Sequence, residues 1–148
     1  MTFGQKFSVV LSVLTVLIIL TLLAGMFLMP YLMEFYVDIT DRPELIIPDI
    51  LTAYYFIAPQ TAVGLAFMLV LLRNIRRGDV FIRKNTCLLR DIAICSFVAT
   101  VFCGVFGHRY LPIIICGVAG LFISLILVLL SNLFSAAVEI KEENELTI

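Results

Sequence analysis

Arg73-Asn74-Ile75-Arg76-Arg77-Gly78-Asp79-Val80-Phe81-Ile82-Arg83-Lys84-Asn85-Thr86-Cys87-Leu88-Leu89-Arg90 is the stretch on which the reading of this chain turns. It holds Arg73, Arg76, Arg77, Arg83, Lys84 and Arg90, six of the ten basic residues. Long apolar runs lie on both sides of it. Lys and Arg beside a membrane span resist translocation, so such a loop marks the cytoplasmic side. Its position then sets the sidedness of every other segment.

The composition agrees with a membrane chain. Of 148 residues, 62% are hydrophobic and only 14% charged, whereas soluble domains average about 45–50% apolar and about 25% charged. The net charge of −1 conceals a segregation, because the bases gather in the central loop and the acids lie elsewhere. Cys87, Cys95, Cys103 and Cys116 form no CxxC pair and read as small packing residues.

Four spans follow from the apolar runs, at about residues 7–29, 50–72, 88–107 and 111–134. The fold class is therefore an all-α integral membrane protein, a single-domain four-transmembrane-helix bundle. The first run has no charge over some 23 residues, enough to cross about 30 Å of hydrocarbon. It reads as a retained helix and not a signal peptide, since the run is too long and no small-x-small site follows. Pro30 is expected to end it. Residues 30–49, with Glu34, Asp38, Asp41, Glu44 and Asp49 against Arg42 alone, read as a solvated outer loop whose acids lack calcium-loop spacing.

The second span contains Pro59-Gln60, so a kink is expected. Tyr55, Pro59, Gln60 and Thr61 make a candidate intramembrane site there, against the commoner reading of a packing kink. Small residues recur at helical spacing: Ser8, Ser12 and Thr15; Ala58, Ala62 and Ala66; Ser96, Thr100 and Gly104; Gly117, Ser124 and Ser131. These faces suit close helix packing and offer surfaces for a homo-oligomer.

In the cytoplasmic loop, residues 73–87, Gly78 is placed for a left-handed helix cap. Asn85 reads as the N-cap of a third helix starting at Thr86. The tail, residues 135–148, carries Glu139, Glu142, Glu143 and Glu145. Asn144 is expected to break its helix, and Glu145-Leu146-Thr147-Ile148 alternates like a short strand. On this reading Leu146 and Ile148 cover Val80 and Phe81, and the tail docks on the loop. All five tyrosines, Tyr31, Tyr36, Tyr54, Tyr55 and Tyr110, fall at the expected outer boundary, as an aromatic belt does. Both termini are thus expected in the cytoplasm, with the chain in the cell membrane.

Arg77-Gly78-Asp79-Val80-Phe81-Ile82-Arg83-Lys84-Asn85, followed by Leu88-Leu89-Arg90, and the ending Lys141-Glu142-Glu143-Asn144-Glu145-Leu146-Thr147-Ile148 resemble the signatures of an uncharacterised bacterial family. Its members are small four-span membrane proteins with a domain of unknown function. The family's usual ending has Asp where this chain has Glu145, and it favours a hydroxyl residue where this chain has Ile82. The resemblance implies a soluble partner, since members are often encoded beside a small helix-turn-helix regulator. It implies no activity.

With Arg90 and Asp91 of the third span placed at the interface, no charged residue interrupts the four apolar cores, so the usual mark of a proton or ion pathway is missing. Nor does the chain offer a Ser/His/Asp set or a metal cluster. The reading is a non-enzyme without cofactors. Its candidate partner- and lipid-binding residues are Arg73, Arg76, Arg77, Phe81, Arg83, Lys84, Asn85, Glu143, Asn144, Glu145 and Leu146. They would serve a regulatory protein docking a cytoplasmic partner, with anionic lipid as a simpler ligand for the bases. Direct nucleic-acid binding does not fit a short loop held against the membrane. The rival class is a small transport, immunity or lipid-binding protein working at the Pro59-Gln60 kink.

Overall fold

The computed structural model describes residues 3–40 and 47–147. They form four helices: α1 (Phe3–Thr40), α2 (Ile47–Arg76), α3 (Arg83–Phe106) and α4 (Leu111–Leu146), with a 3-10 turn, Gly107–Arg109, between the last two. All four are long and apolar enough to cross a membrane, so the chain is a multi-pass membrane protein. At 1.5 Å per residue, α3 is about 36 Å long and α1 about 57 Å.

The first correction is at Pro30. It lies inside α1, and the helix continues to Thr40. Proline removes the bond to the carbonyl four residues back, here Met26. The Tyr55 hydroxyl of α2 donates to that oxygen at 2.8 Å, which supplies the donor that Pro30 lacks. Tyr54 Oη donates to the Leu22 carbonyl, also at 2.8 Å. Residues 31–40 of the expected outer loop are therefore helical, and α2 begins at Ile47 with Asp49 in its first turn. Asp41, Arg42, Pro43 and Glu44 lie outside the described residues.

The helices pack in chain order, α1 on α2, α2 on α3 and α3 on α4, and no further pair of the four shares an extended contact. The bundle is thus open, with α3 covered on two sides. The seven-residue seam of α4 is the inner one: Gly117, Ser124 and Ser131 are buried, and Val138 continues the series. Ser124 Oγ donates to the Ala93 carbonyl at 2.9 Å and Ser131 Oγ to that of Thr86 at 3.0 Å. Ser96 Oγ returns the contact, donating to Gly120 O at 3.0 Å. Such bonds replace the missing hydrophobic drive between helices in lipid.

Two expected small faces hold only in part. Gly104 is exposed with open space around it, and Ala66 is exposed while Gly64 is buried against Cys95. On α1, Ser8 and Thr15 are buried, with Ser8 Oγ donating to the Leu72 carbonyl at 3.4 Å.

At the end away from the α2–α3 loop, Phe56 stacks on Phe102 and Phe106, with centroids 5.2 and 5.5 Å apart. Tyr54 ties α1 at Leu22 to the same level. The fourteen residues of α1 after Met26 continue as helix for about 21 Å beyond the Tyr55 contact. Tyr31 and Tyr36 sit on this projection, exposed, and Tyr110 caps the α3–α4 turn.

Candidate functional site

The distinctive residues meet at the loop end. Helix α2 stops in a Schellman motif: Asp79 N donates to Asn74 O at 3.2 Å and Gly78 N to Ile75 O at 3.1 Å. Gly78 has φ +87°, the left-handed conformation such a cap requires. The chain is then non-helical only as far as Ile82.

Asn85 is not a cap. Helix α3 starts at Arg83, and its N-cap is Ile82, without a side-chain bond. Asn85 is instead 0% exposed. Its Nδ2 donates to the Asp79 carbonyl at 2.7 Å and to that of Val80 at 2.8 Å. Its Oδ1 accepts from Asn74 Nδ2 at 2.7 Å. One buried amide therefore joins the end of α2, the loop backbone and the start of α3. A buried amide with its donors and acceptor paired fixes a single local geometry.

The tail joins this assembly, though not as expected. Helix α4 runs through Asn144 to Leu146, so Asn144 breaks nothing and residues 145–147 form no strand. Leu146 is 87% exposed and does not cover Val80 or Phe81; Ile148 lies outside the described residues. It is Phe134 that meets Phe81, ring centroids 5.5 Å apart. Eight residues further along α4, Glu142 takes both hydrogen bonds of Arg83, from Nε at 3.0 Å and from Nη2 at 2.6 Å. That hydrogen bond is the main cause holding the Glu142 carboxyl below, and the Arg83 guanidinium above, their ordinary values. Both side chains lie beyond the apolar cores of their helices.

Of the other basic candidates, Arg73, Arg77, Lys84 and Arg90 are exposed and Arg76 is half-buried, its Nε without a partner. Glu143, Asn144 and Glu145 lie on the exposed sides of α4, and Lys141 stands 3.9 Å from Glu145. The structure thus brings Phe81 and Arg83 to α4, ties Asn85 to the end of α2 and the loop, and leaves Glu143 to Leu146 outward. Reasoning from sequence missed Asn74, Phe134 and Glu142. The last two were within reach, because Phe134, Val138 and Glu142 continue the Ser131 side of the α4 seam at helical spacing.

Pro59 lies inside the continuous helix α2; beside it Thr61 Oγ1 donates to the Ile57 carbonyl of its own helix at 2.9 Å, and Tyr55 is engaged with α1. Gln60 is half-buried and Pro59 exposed. The four cysteines are free. Among the described residues no group of three His, Cys, Asp or Glu could hold a metal ion.

No curated protein and no solved structure matches this chain. A family model does match residues 41–148, which take in α2, the clamped loop, α3 and α4. The chain accordingly belongs to DUF2975, a family of proteins of unknown function.

Proposed function

We propose that this is a membrane-embedded interaction protein of the cell membrane. It presents the clamped basic loop and the acidic extension of α4 to a soluble partner on the cytoplasmic side. The observation that carries the reading is the Asn85 clamp. A loop that only anchored to lipid would need charge but no fixed shape, whereas here a fully buried amide holds the backbone of Asp79 and Val80 in place. Preorganised surfaces bind with a smaller ordering cost. The clustered bases argue that the loop and both termini are cytoplasmic. A helix-turn-helix regulator, the partner class that the sequence resemblance implied, is the first candidate.

The test is capture of interacting proteins from native membranes by the wild type, by Asn85→Ala and by a chain ending at Val138. A specific soluble protein held by the wild type and lost from both variants supports the reading. Equal capture by all three would overturn it.

A further inference from the structure

Arg83 is the one loop base, among the described residues, whose charge is met by a carboxylate from another helix. Arg73, Arg76, Arg77, Lys84 and Arg90 have no such partner there. Five such cations in eighteen residues, with Asp79 the one acid of that stretch, repel one another and attract any nearby anion. The Arg83–Glu142 pair is itself open to solvent, its side chains 73% and 44% exposed. An exposed pair is marginal and readily exchanged for a competing anion.

Its placement gives Arg83 two alternatives. Glu142 lies eight residues past Phe134 on α4, about 12 Å further from the apolar core than the Phe81–Phe134 contact. In the present pairing the guanidinium therefore points away from the membrane. In the other direction lies the lipid headgroup layer, where Arg73 closes the apolar run of α2 and Arg90 opens that of α3. Phosphate suits the planar fork of arginine as well as carboxylate does, and an anionic leaflet concentrates it beside basic segments.

We propose that Arg83–Glu142 is a latch opened by anionic phospholipid: lipid phosphate takes Arg83 from Glu142 and frees the last two turns of α4. Glu142 acts as an internal stand-in for the lipid anion. In neutral lipid the pair forms and holds the extension against the loop; in anionic lipid the bases turn to the phosphates. Glu142 then joins Glu139, Glu143 and Glu145 as an acidic surface, with Lys141 beside Glu145. The inference rests on the docking reading in one respect, that the freed extension is part of the surface a partner meets. A soluble acidic protein segment is the competing anion, but it must find the site by diffusion, while lipid phosphate always borders the loop.

The experiment is hydrogen exchange of the full chain in nanodiscs of phosphatidylcholine alone and of phosphatidylcholine with phosphatidylglycerol. The backbone amides of residues 139–147 are followed, and those around Ser124 and Ser131 report that the helices stay packed. Wild-type exchange in the tail should rise about two- to fivefold with anionic lipid, the range open to one exposed pair. Arg83→Gln and Glu142→Gln should show the faster exchange in both lipids, with no further response. An unchanged wild-type tail, or a lipid response retained in Arg83→Gln, would overturn the latch. So would release by soluble polyglutamate but not by phosphatidylglycerol. Partner capture that persists beside a lipid-insensitive tail overturns the latch alone and leaves the docking reading standing.

Discussion

The Tyr55 hydroxyl donates a 2.8 Å hydrogen bond to the Met26 carbonyl, the oxygen that Pro30, four residues on, leaves without its helical donor. One helix thus repairs the backbone of another, and α1 continues to Thr40. Helix-breaking prolines are tolerated in membrane helices where a neighbour re-satisfies the freed group.

This relationship predicts a coupled pair of substitutions. Tyr55→Phe should destabilise the folded protein by about 0.6 kcal/mol, and by at most about 1.7 kcal/mol, the measured scale for interhelical bonds in lipid. Pro30→Ala restores the Met26 helical bond and should remove most of that cost. Thermal unfolding of the two single variants and the double variant in detergent measures the coupling; strictly additive effects would contradict the repair.

Asn85→Ala should cost about 1–3 kcal/mol, because it strands two loop carbonyls and the Asn74 amide. Asn85→Asp keeps the volume and the acceptor but loses both donors, so it should fail as well. Limited trypsin cleavage at Arg77 and Arg83 is the readout, since both variants should be cut faster than the wild type.

Two glycines of the α3–α4 pair should answer differently. A Cβ on Gly117 would lie 2.8 Å from Cys103 Cβ, so Gly117→Ala must push the helices apart at about 1–3 kcal/mol. Gly104 faces open space, and Gly104→Ala should be neutral or stabilising by up to about 1 kcal/mol through helix propensity. Melting temperatures of the two variants separate these cases.

At the tail, Leu146→Asp should change stability by less than about 0.5 kcal/mol, as an exposed substitution does, whereas Phe134→Ala should loosen the loop measurably. Acid should act through Glu142. Its folded carboxyl titrates below the unfolded value, so its contribution is present above the unfolded value and is lost as pH falls through the folded one. Arg83 stays charged throughout. Hydrogen exchange corrected for intrinsic pH effects should therefore rise in residues 139–147 only at the acid edge, and Glu142→Gln should abolish that rise.

Topology is the broadest expectation. Reporter fusions at residue 40 and at the C-terminus should report opposite sides of the membrane, with the C-terminal one cytoplasmic. Finding both on one side would remove the basis for a cytoplasmic docking face.

Some of this molecule was legible in residue order alone. The four apolar helices, the non-helical break at the cluster of bases, the left-handed cap at Gly78 and the inner seam through Gly117, Ser124 and Ser131 all follow from local composition and period. Each depends on a residue's own backbone preference or on neighbours within its helix, which are present in the sequence. What the sequence misplaced needed a partner from elsewhere in the chain. Pro30 looks like a helix end in sequence because its missing donor comes from Tyr55, across the α1–α2 contact. Asn85 looks like a cap in sequence because the carbonyls it binds belong to a loop whose return path only the packed helices define. Sequence alone docks the tail through Leu146, whereas the rotation of α4 set by Ser124 and Ser131 turns Glu142 to the loop and Leu146 to solvent. Period and composition determined the helices; the tertiary structure decided which stray backbone groups were satisfied, because a hydrogen bond between distant residues exists only once packing has brought its two ends together.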